Sequence, residues 1–164
     1  MTQGPADLDR IRAALERARA VLESIRSRIL HVEEKAGGDP VTEADRAVDR
    51  ALREVLVRPG EGLLSEETAD DLSRLDSGRV WVVDPLDGTR EFVAGIPEWC
   101  VSVALVENGE PLAGGVLNPA TGELVLGAVG LGVRRGGDPV HLRPRKDLRG
   151  ALVLASRSEV SRGE

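Results

Sequence analysis

The sequence predicts an α+β domain in which two N-terminal helices pack on a mostly antiparallel β-sheet. Two observations lead to this fold class: apolar residues recur every three or four positions up to about residue 56, and short β-branched runs separated by turn residues follow Gly60. The chain has 164 residues, of which 41% are hydrophobic, and this is enough for one core of ordinary size. We therefore predict one domain over residues 1–150, with 151–164 as the start of a C-terminal domain that is truncated or missing.

The two helices are predicted from their apolar spacing and their stop signals. The first runs from about residue 7 to 34, where apolar residues keep helical spacing among many Arg and Glu, and the Gly-Gly-Asp-Pro segment 37–40 ends it. The second begins at Thr42, with Asp45 three residues later, and stops near Pro59.

The strands are predicted from short apolar runs bounded by turn residues. The polar and acidic segment 68–78 is predicted to be a surface loop or a short helix, and Asn108-Gly109 indicates a two-residue hairpin turn. Trp81 and Trp99 are expected in the core. The predicted strands cover residues 62–65, 80–83, 99–106, 112–117, 123–128 and 131–135.

Acidic residues stand at the ends of the first two predicted strands. Asp84 and Asp87 are three positions apart, in a segment that we expect to leave its strand and turn at Gly88. This spacing lets two carboxylates and the carbonyl of Leu86 converge on one point, and negatively charged oxygen ligands are what Mg²⁺ prefers. Glu66 adds a carboxylate if the two strands are neighbours, and a cation then relieves the repulsion among them.

The turn after these carboxylates predicts a place for an anion. Gly88 and Thr89 lead into a short helical segment whose backbone N–H groups suit phosphate oxygens. Asp45 is placed to hydrogen-bond the Thr89 hydroxyl and so to orient a metal-activated water molecule. The structural alternative is a plain tight loop, since Asp-Pro and Asp-Gly are common turn dipeptides, and spacing alone does not decide between the two.

Three motifs in order give the sequence a family resemblance. Residues 39–45 (Asp-Pro-Val-Thr-Glu-Ala-Asp), 64–67 (Leu-Ser-Glu-Glu) and 81–92 (Trp-Val-Val-Asp-Pro-Leu-Asp-Gly-Thr-Arg-Glu-Phe) resemble the inositol monophosphatase superfamily of lithium-sensitive, magnesium-dependent phosphatases. The similarity spans roughly residues 8–160. It implies the N-terminal half of a layered α-β-α-β-α sugar phosphatase fold.

The resemblance also implies a role for each matching residue. Asp45 and Thr89 would activate the water molecule together with Glu66, and Gly88 and Thr89 would hold the phosphate. Glu67, next to Glu66, is not the main ligand by the same comparison. Two or three Mg²⁺ ions and inhibition by Li⁺ are implied as well. The residues implied to bind metal are Glu66, Asp84, Asp87 and, through its carbonyl, Leu86.

Two short segments resemble one branch of the superfamily. Residues 88–92, Gly-Thr-Arg-Glu-Phe, are similar to the Gly-Thr-Lys-Glu-Phe form of CysQ-type 3′(2′),5′-bisphosphate nucleotidases. Ser156-Arg157-Ser158 resembles their Ser-Arg-Ser-His motif, with Glu159 in place of the His, and marks Ser156 and Arg157 as substrate-binding. The implied activity is hydrolysis of the 3′-phosphate of adenosine 3′,5′-bisphosphate. The alternatives are an inositol monophosphatase-like activity and a noncatalytic metal- or phosphate-binding domain.

A further expectation concerns the second half of such proteins. In the family a second α/β domain follows and contributes another metal-binding Asp from a Trp-Asp motif, which this sequence lacks. We therefore expect the chain alone to be a poor catalyst or inactive. The apolar surface that such a domain covers makes a homodimer a further expectation.

Composition narrows the possible partners and the location. A net charge of −6 and an aromatic content of 2% disfavour a nucleic acid polymer and favour a small phosphorylated ligand held by metal ions. The sequence has neither an apolar window of about 18 residues nor a leader pattern. We therefore predict a cytoplasmic protein without a membrane partner. Cys100 is predicted to be a buried core thiol, and His31, His141 and the basic cluster at 143–149 are given no role.

Overall fold

The computed structural model describes residues 4–29, 40–142, 147 and 149–151. The helices in these ranges are α1 (Gly4–Ile29), α2 (Pro40–Leu56) and α3 (Thr89–Ala94), with a 3₁₀ turn at Ser73–Asp76. The strands are β1 (Glu61–Ser65), β2 (Arg79–Asp87), β3 (Cys100–Glu107), β4 (Glu110–Asn118), β5 (Glu123–Ala128), β6 (Gly132–Arg135) and β7 (Asp138–Pro139). The predicted α+β class is confirmed by this mixed, mostly antiparallel sheet with helices packed on it.

The strands form one sheet in which their order follows the chain from β1 to β7. β2 to β7 pair with antiparallel neighbours, so most of the sheet is a meander of hairpins. The β3–β4 hairpin turns at Asn108 (φ 50°) and Gly109 (φ 85°), as the Asn-Gly pair predicts. β1 pairs with β2 in parallel, with Ser65 opposite Val83, so the carboxyl ends of these two strands lie at the same edge.

The core lies between the sheet and the two long helices. Alternate residues of β3 point towards the helices, and Val101, Val103 and Leu105 are buried there. Trp81 and Trp99 are buried in the same cluster, which confirms the prediction for both. At Gly115 of β4, an added Cβ would lie 2.7 Å from Ile11 and 2.9 Å from Leu15, so this glycine allows α1 to lie directly against the sheet.

A network of ion pairs joins α1 to the starts of β1 and β2. Arg10 donates two hydrogen bonds to Glu61, of 2.7 and 3.0 Å, and its guanidinium lies 4.6 Å from the centre of the Trp81 ring. The indole N–H of Trp81 donates to the same carboxylate at 3.0 Å. Arg79 bridges Asp7 (2.7 Å) and the Glu107 side chain (2.8 Å). We call this group the basal network.

Several element boundaries differ from the prediction. α1 begins three residues earlier than predicted, at Gly4, while its predicted end after Ile29 lies outside the described residues. α2 begins at Pro40, because proline suits the first turn of a helix, where its missing N–H is not needed. The prediction ended β2 at Val83, but the strand continues to Asp87. The short strand β7 was not predicted.

Candidate active site

The three predicted carboxylates lie at the edge where β1 and β2 end. Glu66 directly follows β1, while Asp84 and Asp87 belong to the last part of β2. The pairing of β2 with β3 shifts in register between Asp84 and Asp87, as a β-bulge does. A bulge turns the strand locally and redirects its side chains. Asp84 and Asp87 therefore lie within an irregular strand end, whereas the prediction placed them in a segment that has already left its strand.

The pairing of β1 with β2 brings Glu66 next to Asp84, because Ser65 and Val83, the residues that precede them, lie opposite each other. Burial is the largest cause that raises the pKa of Asp84 to about 6, and the charges of Glu66 and Asp87 raise it further. A hydrogen bond between the Asp84 and Glu66 side chains acts in the same direction. Within the described ranges, no Arg or Lys forms a salt bridge with any of the three.

The chemistry of these donors fits a divalent cation. The donors at this edge are the three carboxylates and the carbonyl of Leu86, which are all hard oxygens, and a cation among them would offset the repulsion between the carboxylates. Among the described residues, however, no group of three or more His, Cys, Asp or Glu side chains is already arranged as a metal cluster.

The turn after β2 is built around Gly88. Its φ of 87° is in the left-handed region, and an added Cβ would lie 2.8 Å from the Glu98 carbonyl oxygen. Thr89 begins α3, and its hydroxyl donates a 3.0 Å hydrogen bond to the carbonyl of Leu86. The Leu86 N–H donates to Asp84 at 3.2 Å. The strand end, the turn and α3 are thus joined into one unit.

Asp45 is buried within α2, with 6% of its surface exposed. Because the single proton of the Thr89 hydroxyl goes to Leu86, the bond from Asp45 to Thr89 stays a prediction. Ser156 and Arg157, predicted to bind substrate, lie outside the described residues, as does His31. His141 is exposed at the end of the described meander.

Sequence reasoning missed Asp49 and misplaced Cys100. Asp49 is buried on α2 and accepts hydrogen bonds from Ser65 (2.5 Å) and Thr68 (3.0 Å). Its position four residues after Asp45, on the same helix face, was the available signal. Cys100 is half-buried beside Asp87, at 3.8 Å, because it is on the face of β3 opposite the core residues. Burial first, and then the charge of Asp87, raises its pKa to about 11, so the thiol stays protonated.

Comparison with known proteins identifies the family. The model of the inositol monophosphatase family matches residues 7–164. The chain belongs to the inositol monophosphatase family. Members of this family are phosphatases and are generally dependent on Mg²⁺. The fold agrees: inositol monophosphatase II of Staphylococcus aureus superposes with a TM-score of 0.76 at 26% identity, over 86% of this chain and 52% of that one.

Relatives of different specificity resemble this family member to a similar degree. Inositol-1-monophosphatase of Rhizobium meliloti is 38% identical over 82% of this chain and 51% of its own length. Histidinol-phosphatase of Mycobacterium tuberculosis is 46% identical over 56% of the chain and 35% of its own length. The 3′-phosphoadenosine 5′-phosphate phosphatase of the same species is 42% identical over 59% and 41%. CysQ of Bacteroides thetaiotaomicron superposes with a TM-score of 0.69 at 30% identity, over 87% of this chain and 53% of that one.

The matched relatives are longer than this chain. The chain spans about half the length of the curated inositol-1-monophosphatase relative that it matches. Neither long helix, in the parts that the structure describes, contains an apolar stretch suited to crossing a bilayer.

Proposed function

We propose that this chain supplies the metal-binding and water-activating part of a magnesium-dependent phosphomonoesterase. The observation that carries the proposal is the mutual interaction of Asp84 with Glu66 and Asp87 at the shared edge of β1 and β2, without a cationic partner in the described ranges. Carboxylates held together in this way favour a cation between them. A purely structural turn would gain nothing from three such charges.

In this proposal Glu66, Asp84 and Asp87 hold Mg²⁺ together with the carbonyl of Leu86. The bound metal, in two or three ions, would offset phosphate charge and make a water molecule more acidic. The Thr89 hydroxyl donates a hydrogen bond to the Leu86 carbonyl and therefore lies directly beside the proposed metal position.

Asp45 and Thr89 are proposed to orient the attacking water and to take up its proton. Asp45 is buried on α2, and a buried side chain acts in low dielectric and keeps a fixed position. Gly88 and Thr89 are proposed to hold the phosphate through their backbone N–H groups, since the positive φ of Gly88 shapes the turn between β2 and α3.

The proposed substrate is a nucleotide bisphosphate, adenosine 3′,5′-bisphosphate. Two observations support it: the Gly-Thr-Arg-Glu-Phe sequence at 88–92, and the resemblance to a 3′-phosphoadenosine 5′-phosphate phosphatase and to CysQ. Ser156 and Arg157 are proposed to contact it. An inositol monophosphate is the second candidate, favoured by the longer match to the Rhizobium meliloti relative. A cytoplasmic location, a homodimer and inhibition by Li⁺ remain predictions from the sequence.

The first test is metal binding by the chain itself. Titration with Mn²⁺, followed by electron paramagnetic resonance, should show saturable binding at pH 7.5 that Mg²⁺ displaces. Saturating Mg²⁺ should also raise the midpoint of thermal unfolding, because a ligand at about 100 times its Kd stabilises by roughly 2.7 kcal/mol. The Asp84→Asn and Asp87→Asn variants should lose most of this binding. Unchanged binding in both variants would place the metal elsewhere and contradict the proposal.

The second test is phosphate release with Mg²⁺ from three substrates: adenosine 3′,5′-bisphosphate, inositol 1-phosphate and histidinol phosphate. We propose to assay the chain alone and joined to the C-terminal half of the Rhizobium meliloti relative. Preferred release from the nucleotide supports the proposal, and preferred release from either other substrate refutes the substrate assignment. Metal binding without release in either form would favour the noncatalytic alternative.

The third test concerns the water-activating pair in whichever form is active. Asp45→Asn and Thr89→Ala should each lower kcat by roughly 100-fold or more, the usual contribution of general acid–base catalysis. Thermal unfolding is the control for correct folding. If either variant kept turnover within a factor of two, that residue would have no role in activating water.

A further inference from the structure

We propose that Asp49 is a positioning residue that holds Glu66 at the metal edge through hydrogen bonds on both sides of it. This inference rests on the proposed function and assigns that site a residue to which the family resemblance gave no role. Asp49 is on α2, and Glu66 follows β1. The hydrogen bonds of one carboxylate therefore join the helix to the segment that carries the proposed metal ligand.

The contacts of Asp49 define a clamp. One of its oxygens accepts the Ser65 hydroxyl at 2.5 Å and the other accepts the Thr68 hydroxyl at 3.0 Å. These two hydroxyls come from the residue before Glu66 and from the second residue after it. The Ser65 hydroxyl oxygen also accepts the N–H of Glu67 at 3.2 Å, which closes the turn between them. We call Asp49, Ser65 and Thr68 the clamp.

The segment 66–68 has little besides the clamp to fix its position. Glu66, Glu67 and Thr68 are all exposed, so they contribute no buried apolar surface that would fix the backbone. Asp49 itself is 6% exposed and lies below them. In the described ranges, the side-chain hydrogen bonds from the segment 65–68 to other parts of the protein end on Asp49 and Asp84. Glu66 is thus held from α2 on one side and meets Asp84 on the other.

Asp49 acts here as an acceptor and not as a metal ligand. Each of its oxygens already accepts a hydroxyl proton within the clamp. A group that orients a ligand without contacting the metal commonly changes metal affinity by 10–100-fold when it is removed. Since Asp45 lies one turn earlier on the same helix, α2 sets the position of both the proposed water-activating residue and the metal ligand.

The test is Mn²⁺ affinity of the chain, measured by electron paramagnetic resonance at pH 7.5. Asp49→Ala removes both acceptors and should weaken binding about 10-fold or more. Asp49→Asn should stay within about 3-fold, because its amide accepts one hydroxyl proton and donates to the other hydroxyl after that group rotates. Thr68→Val removes one bond at an exposed position, where folding is not at risk, and should have an intermediate effect.

The matched control is Val48→Ala, the neighbouring position on α2, which is fully buried. It lowers stability through a cavity and should leave Mn²⁺ affinity unchanged. Amide hydrogen exchange without metal gives a second readout: Asp49→Ala should speed exchange at residues 66–68 locally, whereas Val48→Ala should not. This readout separates positioning from a general loss of stability.

The outcomes distinguish the clamp from the proposed function. If the unsubstituted chain binds Mn²⁺ and Asp49→Ala binds it equally well, the clamp is refuted and the metal site stands. Equal weakening by Asp49→Ala and Val48→Ala would also refute it, because both changes would then act through stability alone. No Mn²⁺ binding by the unsubstituted chain would overturn the proposed metal site and the clamp with it.

Discussion

The two ends of the β1–β2 pair carry acidic residues in opposite electrostatic settings. At the starting end, burial alone would raise the pKa of Glu61, but hydrogen bonds from Arg10, Trp81 and the Arg58 backbone outweigh it and the pKa is lowered. At the other end, burial and the charges of Glu66 and Asp87 raise the pKa of Asp84 to about 6. The strands are the same, so the difference comes from the partners at each end.

The residues at the starting end stabilise the fold, whereas the carboxylates at the other end are the ones proposed to bind metal. The basal network satisfies its charges within the protein and ties α1 to the sheet. The carboxylate edge leaves repulsion in place, and such a cost to folding is typical of sites that bind a charged ligand. We therefore expect removal of a carboxylate charge to lower stability at the start of the two strands, at Glu61, and to raise it at their other end, at Asp84.

The largest expected effect is at the basal network. Glu61→Ala would leave the Arg10 guanidinium, whose side chain is 7% exposed, without its bidentate partner. Removing one member of a buried ion pair costs roughly 3 kcal/mol in unfolding free energy. Urea denaturation measures this loss. The control is Glu23→Ala, which breaks an exposed pair with Arg19 and should cost less than about 0.5 kcal/mol. Equal losses in both variants would show that burial does not determine how much these ion pairs contribute to the unfolding free energy.

A smaller loss is expected from the backbone of the carboxylate edge. Gly88→Ala combines a left-handed φ with a Cβ 2.8 Å from the Glu98 carbonyl, and should cost roughly 2 kcal/mol. Gly95→Ala is the matched control, since its φ is also positive (70°) but no atom lies within 4 Å of the added Cβ. It should cost roughly 1 kcal/mol. Denaturation midpoints of the pair separate the clash from the backbone strain, and equal costs would rule the clash out.

The smallest effect has the opposite sign. In metal-free protein the folded state binds the Asp84 proton more tightly than the unfolded chain does, so stability falls as pH rises from about 4 through about 6. The amide introduced by Asp84→Asn does not titrate, so this pH-dependent loss of stability is absent. The variant should be more stable than the unsubstituted chain above pH 6, but not below pH 4. Because Asp84 is half-buried, solvent screening reduces the gain to roughly 1 kcal/mol. Thermal unfolding in EDTA across this pH range measures it, and a loss of stability at pH 7 would contradict the repulsion.

Much of the fold follows from local sequence signals. The Asn108-Gly109 turn and the β-branched runs predict the meander because its strands pair with their neighbours in the chain. The parallel pairing of β1 with β2 brings Glu66 towards Asp84. It depends on tertiary packing, so no local sequence pattern predicts it. The metal hypothesis required only that these two strands be neighbours and did not predict their direction.

The sequence marked the acidic residues of the candidate site but not the structural features that depend on residues far apart in the chain. Motif spacing marked Asp84 and Asp87, but not the continuation of β2 through them, because a bulge is a response to strand pairing. Asp49 was missed because a single Asp on a helix has no distinguishing pattern until its partners Ser65 and Thr68 are placed in space.

The close approach of Ile11 to Gly115 joins two parts of the chain that are synthesised at different times. During synthesis the glycine against which α1 lies is added roughly 100 residues after that part of the helix, or about 5–20 s later at ordinary elongation rates. Until then the apolar side of α1 has no sheet to cover it. The nascent chain is therefore exposed to premature association during that interval, and a chaperone bound to the first helix would offer the most protection at that stage.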